Sequence, residues 1–204
     1  MIREDIANMT PKHRHHPFYI VITLFLLLIS NSPAPSFADE KKEQLNKALE
    51  QKVKAAYFYR FLQLTNWPQT AFENNTSAIR ACFVGSNPYI AVWKKIENHA
   101  IAEHTILVLL KSKEETLSSC HAIVFFSPEF GPEHTKDYWV NTLSAIHLLP
   151  ILTVGEGSTF VYAGGLLGFQ IAAGKVRFIS NKSQAEAVGI NLSANLLAHA
   201  LEVK

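Results

Sequence analysis

Aspartate is nearly missing from this chain. Beyond the first 38 residues only Asp39 and Asp137 occur, so paired carboxylates for general acid and base work would have to come from glutamates. Most of those lie in polar helix starts or loops, and the adjacent Glu114 and Glu115 cannot face one site together from a helix. No G-x-S-x-G elbow and no H-E-x-x-H or C-x-x-C spacing occurs. These gaps argue against a motif-built hydrolase, and no catalytic residue, cofactor or metal is expected. His99, His104 and the neighbours Cys120 and His121 match no standard ligand set. Excess charge is lacking too: 19 Lys and Arg stand against 17 Asp and Glu, a formal net charge of +2, which asks for no nucleic-acid partner. Repeats, low-complexity tracts and a second domain are also missing.

Long apolar runs are confined to the start. Lys12 and Arg14 precede a run from Phe18 to Ile29 broken only by Thr23, and Ser36-Phe37-Ala38 supplies small residues at the positions that signal peptidase reads. The run is short of the roughly 20 residues that span a bilayer. Residues 1–38 are therefore expected to be a cleaved signal peptide and 39–204 a single domain; retention as an uncleaved anchor is the alternative. His13, His15 and His16 fall in the removed segment. The chain has two cysteines, Cys82 and Cys120. In an exporting compartment their simplest use is a disulfide, the alternative being two buried thiols.

What remains alternates between two periodicities. Leu45, Leu49, Val53, Tyr57, Phe61 and Leu64 predict one long amphipathic helix ending near Trp67, since Pro68 biases its predecessor towards extended backbone. Strands are expected over 79–84, 104–110 (central), 122–126 and 150–154. Helices are expected from Pro88 to Asn98, from Ser112 to Ser119 behind a capping box with Glu115, and from Pro132 through Ile146. Leu166 to Ile171 and Lys175 to Ile179, joined by Ala172-Ala173-Gly174, read as a hairpin. Asn181 and Ser193 each cap a last short helix, the second carrying Leu196, Leu197, Ala200 and Leu201. Strand and helix alternate from 79 to 154. The expected fold is α/β: a mostly parallel sheet with helices on both faces and an antiparallel C-terminal hairpin edge, a Rossmann-like three-layer sandwich.

The glycines after residue 154 invite a nucleotide reading. Gly155-Glu156-Gly157-Ser158-Thr159-Phe160 begins like a dinucleotide fingerprint, but Phe160 replaces the third glycine, and the run is expected to continue as loop and strand rather than to open a helix. Gly168 to Lys175 has the wrong glycine spacing for a P-loop, with Val176 where Ser or Thr is required. The glycines are expected to serve turns and close backbone approach.

Five pieces together resemble the YfiR-like family of exported proteins: VKAAYFYRFLQLTNWP (Val53 to Pro68), RACFVG (Arg80 to Gly85), SCHAIVFFS (Ser119 to Ser127), ILTVGEGSTFVYAGGLLGF (Ile151 to Phe169) and KVRFISNKSQAEAVGINLSANLLAHALEV (Lys175 to Val203). The resemblance implies a periplasmic, non-catalytic repressor of a membrane-bound diguanylate cyclase, lowering cyclic-di-GMP and biofilm output. It also implies a homodimer and redox-sensitive cysteines, Cys82 and Cys120 matching one of the family's pairs; a second pair has no counterpart here. Phe160, Val161 and Tyr162, with Gly164 and Gly165 allowing close approach, are the expected partner contact. The alternative is that Phe160 and Tyr162 are core residues covering the sheet edge. The rival function is a small-ligand sensor whose crevice at the carboxyl ends of the strands takes an anionic metabolite, with Arg177 as a contact or, alternatively, half of a structural ion pair.

Overall fold

The first helix, α1 (Phe37–Gln63), shows how the sequence pattern translates into packing. A computed structural model describes residues 37–112, 114–126 and 136–204 of the chain. The apolar run of the expected signal peptide and Pro132 lie outside the described residues. Residues 43–204 form one compact unit; of the other unit, residues 1–42, only the opening turns of α1 are described.

On α1 the buried face is Lys54, Ala55, Phe58, Phe61 and Leu62, while Leu45 and Leu49 are exposed and Val53 sits at the solvent edge. The expected stripe was drawn with steps of four. Each such step overshoots a helical turn by about 40°, so Leu45 ends up roughly 160° around the helix from Phe61. The helix also stops at Gln63, ahead of Trp67, because the chain turns extended at β1 (Thr65–Asn66) to pair with a late segment.

The strands follow as β2 (Ile79–Val84), β3 (Ala100–Ile101), β4 (His104–Lys111), β5 (Ala122–Phe125), β6 (Leu152–Glu156), β7 (Leu167–Ala172), β8 (Lys175–Ser180), β9 (Asn191–Leu192) and β10 (Glu202–Val203). The helices after α1 are α2 (Ile90–Trp93), α3 (Lys136–Leu143), α4 (Gly157–Tyr162), α5 (Lys182–Ala187) and α6 (Ala194–Leu197). The main sheet has eight strands in the order β10-β8-β7-β6-β5-β2-β4-β3. From β4 through β7 every pairing is parallel, and β7 and β8 are antiparallel. This is the expected α/β architecture. Ala173 and Gly174 make the two-residue hairpin turn with positive φ at both positions (49° and 69°), the combination that suits the twist of paired strands.

Alternate strand residues feed two apolar layers. Ala81, Phe83, Ala122, Val124 and Phe178 pack with α1, α2 and α6. Cys82, Val84, Ile123, Phe125 and Ile179 pack with α3 and α4 on the opposite side. The sandwich is therefore filled from both faces.

Three expectations need correction. The strand β4 is not central: only the two-residue β3 lies beyond it, and Leu107 on its uncovered side is 41% exposed. The capping-box spacing at Ser112 and Glu115 is real, with Ser112 N donating to Glu115 Oε1 at 2.8 Å, yet the described residues there make turns, not a helix. The last helix ends at Leu197, and the chain then adds β10 in parallel beside β8, so the hairpin is not the final edge. The caps expected at Asn181 and Ser193 are present, their side chains accepting from Gln184 N and Leu196 N.

His121, just before β5, ties β2 to the segment that follows β1. Arg80 N donates to its Nδ1 at 2.9 Å, so the proton sits on Nε2, which donates to Ala71 O at 2.9 Å. The ring stacks on Phe72, which also stacks on His104. Burial holds the His121 pKa below its ordinary value, and the neighbouring Arg80 and His104 add to the effect against the Ala71 hydrogen bond and Glu73. The unfolded chain therefore binds more protons at this site, and stability is lost as pH falls below about 6.5 towards the folded pKa. Glu156, whose carboxyl is raised by burial, contributes with the opposite sign from about 4.5 upwards. Between about pH 7.5 and pH 5.5, the wild type should lose more stability than His121→Gln. Parallel pH dependences in urea titrations of the two proteins would remove His121 as the cause.

Candidate functional site

Strand β6 leaves the sheet at its carboxyl end with Glu156, and Gly157, at φ 77°, turns the chain directly into α4. The continuation as loop and strand that the sequence suggested is thus overturned. The six residues GSTFVY are too few to show a helical period, and their aromatic and β-branched character imitates a strand. The absence of a third glycine stands, and its reason is visible. Phe160 is fully buried against Phe125 and Trp139, with ring centroids 5.9 and 4.8 Å away. A Cβ on Gly155 would come within 2.8 Å of its ring, and one on Gly165 within 2.2 Å. A Cβ on Gly168 would lie 2.5 Å from Val161. These glycines make room for α4 on the sheet.

The same burial corrects the expected partner contact. Phe160 and Val161 are both 0% exposed and belong to the core beneath α4, because the helix turns them inward onto β6 and β7. Tyr162 remains 43% exposed, its hydroxyl donating to Glu202 Oε1 at 2.8 Å, which raises the phenol's pKa. Gly164, at φ 113°, has open space around its missing side chain. Cys82 and Cys120 form a disulfide buried in the layer under α3 and α4.

A cleft of about 820 Å³ opens at the carboxyl end of β6, between α1, the turn before α2, the start of α4 and the β7 end of the hairpin. Its centre is Lys54, only 4% exposed, whose Nζ lies 2.6 Å from both Glu50 Oε1 and Glu156 Oε1 and 5.7 Å from the Phe169 ring centroid. Burial raises the Glu156 pKa and Lys54 opposes the rise. Beside this group, Gln51 Oε1 accepts from both Asn87 Nδ2 and Trp93 Nε1, fixing α1 to the α2 turn. The other wall carries Ser158, Thr159, Gln170 and Ile171.

A crevice was thus expected in this part of the fold, but not these residues. Arg177 does not line it: its Nη1 donates to Val176 O at 3.3 Å from β8. Lys54 and Gln51 went unnoticed because the stripe drawn through Leu49 and Val53 placed them on the solvent side. A polar pair at three-residue spacing in line with Ala55, Phe58 and Leu62 was the available signal. No group of three or more His, Cys, Asp or Glu able to hold a metal occurs among the described residues.

Among solved structures, the chain is similar to a conserved domain protein from Vibrio cholerae O1 biovar El Tor str. N16961, at 16% identity and a TM-score of 0.39. The match covers 67% of this chain and 57% of that one. No curated protein matches the sequence. A family model described as YfiR/HmsC-like matches residues 51–200, from the middle of α1 to just short of β10, and by that match the chain belongs to the YfiR/HmsC-like family.

Proposed function

We propose that this protein is a periplasmic, non-catalytic regulator that binds the outer sensor domain of an inner-membrane diguanylate cyclase and represses it, lowering cyclic-di-GMP. The observation that carries the reading is the family match over residues 51–200. A buried disulfide supports export, since such bonds persist in oxidising compartments. Regulation works by occupancy: the bound protein favours the cyclase's inactive conformation, and its release lets the active one form. With Phe160 and Val161 in the core, the contact on this face is carried by Tyr162 beside the open Gly164.

Deleting the gene should raise cellular cyclic-di-GMP, and the tagged protein should co-purify a membrane diguanylate cyclase from solubilised membranes. Tyr162→Asp should weaken that capture while leaving the circular dichroism spectrum unchanged. Unaltered cyclic-di-GMP in the deletion strain would sink the regulatory reading. Capture undiminished by Tyr162→Asp would move the contact elsewhere.

A further inference from the structure

Strand β4 has the sequence of a central strand and the position of an edge. Between Thr105 and Lys111 it reads Ile106-Leu107-Val108-Leu109-Leu110, without a charge, a proline or a glycine. Edge strands ordinarily carry such a device or are covered, because a bare apolar edge recruits another strand. Its inner side pairs with β2 along its length from Ile106 to Lys111. On the outer side β3 reaches only His104 and Thr105, while Asn98 and His99 take up the C=O and N–H of Ile106. Backbone groups alternate in direction along a strand, so those of Val108 and Leu110 point outward with those of Ile106. They find no partner among the described residues. The open stretch ends where the chain turns and Ser112 N donates to Glu115. Leu107 and Leu110, one on each face of it, are 41% and 56% exposed.

We infer that this edge is a seam between two copies of the chain, β4 pairing antiparallel with β4 of the second copy about a twofold axis at Leu109. The register follows from the hydrogen bonds. Setting Val108 opposite Leu110 of the second copy, and by symmetry Leu110 opposite Val108, satisfies every open N–H and C=O of both residues at once. An axis at Val108 would set Leu110 against Ile106, whose groups are taken; an axis at Leu110 would set Val108 against Ser112, whose N–H is turned to Glu115. The same register lays the stem of Lys111, its ammonium held by Glu115, over the exposed Leu107 of the second copy. Leu110 comes to lie beside Val108 on the other face. A twofold pairing needs nothing that the chain does not itself carry, and β4 becomes the central strand that its sequence describes. Tyr162 and its partner strand β10 sit at the far edge of the sheet, so the seam is independent of the cyclase contact.

Sedimentation equilibrium of the purified protein should show monomer and dimer in exchange, with the dimer prevailing at about 100 µM, as suits a small interface. Leu110→Lys, at an exposed side chain, should weaken the dimer about tenfold or more and leave the melting curve of the monomer unchanged. The register has its own test. Positions 107 and 111 of opposite copies face each other as a non-hydrogen-bonded pair, with Cα atoms about 4.5 Å apart, a spacing that a disulfide bridges. Leu107→Cys combined with Lys111→Cys should therefore cross-link two chains on mild oxidation, and Leu107→Cys alone should not. Within one chain the two positions are too far apart along the strand to bridge. A protein that stays monomeric at about 100 µM, leaving the edge to a strand of another protein, would overturn the inference. So would a dimer that Leu110→Lys leaves intact, or cross-linking no greater in the double variant than in the single one.

Discussion

Protein refolded with Cys82 and Cys120 reduced should melt roughly 10 °C below the oxidised form. The bridge spans 38 residues of sequence, and closing a loop of that length removes unfolded-state entropy worth about 4 kcal/mol on the chain-entropy model. At this chain size each kcal/mol moves the melting temperature by about 2 to 4 °C. Burial reinforces the effect. Cys82 is 0% and Cys120 4% exposed, packed with Val84, Ile123 and Phe125, so reduction leaves two thiols in a layer shaped around the bonded pair. The bridge also links β2 to the residue that leads into β5, its neighbour in the sheet. Calorimetry on both forms, with thiols counted after unfolding, provides the measurement. Coincident melting curves for fully reduced and fully oxidised protein would show that the bond is dispensable for stability.

Much of the fold was legible because its signals were local. Strand β2 is a six-residue run, apolar apart from Arg80, closed by Gly85, whose φ of 89° no bulkier residue adopts easily, and the structure begins and ends it where the sequence did. The Asn181 and Ser193 caps, and the hairpin at Ala173-Gly174, rest on chemistry within four residues. Elements made by distant partners could not be seen. Strands β1, β3, β9 and β10 have two residues each, and nothing in Thr65–Asn66 or Glu202–Val203 marks a strand until Leu192 and Ile179 are placed beside them. The cleft was illegible for a related reason: its ionic core joins Lys54 to Glu156 across 102 positions. Only the helical phase of α1 could have hinted at the lysine. Helix α4 was misread because six residues carry too little period to outvote their composition, whereas the packing of Phe160 settles the conformation.

That packing yields the second large effect. Replacing Gly165 by alanine should destabilise the protein by about 3 kcal/mol, the upper end for an overpacked core. The added methyl would stand 2.2 Å from Phe160 Cε1, and the ring has nowhere to retreat. Gly155 already lies close on the other side, where a Cβ would be 2.8 Å away, while Phe125 and Trp139 close the remaining faces. Gly164→Ala isolates the backbone contribution: its site is open, and the cost there comes from φ 113° alone, about 1 to 2 kcal/mol. Shortening the clashing ring should relieve the neighbour. Gly165→Ala combined with Phe160→Leu should be more stable than Gly165→Ala alone, a coupling that only direct contact produces. Urea midpoints for the wild type, Gly164→Ala, Gly165→Ala, Phe160→Leu and the double variant test the scheme. A Gly165→Ala midpoint within about 0.5 kcal/mol of the wild type, or strictly additive losses in the double variant, would mean that α4 is not seated on the sheet through Phe160.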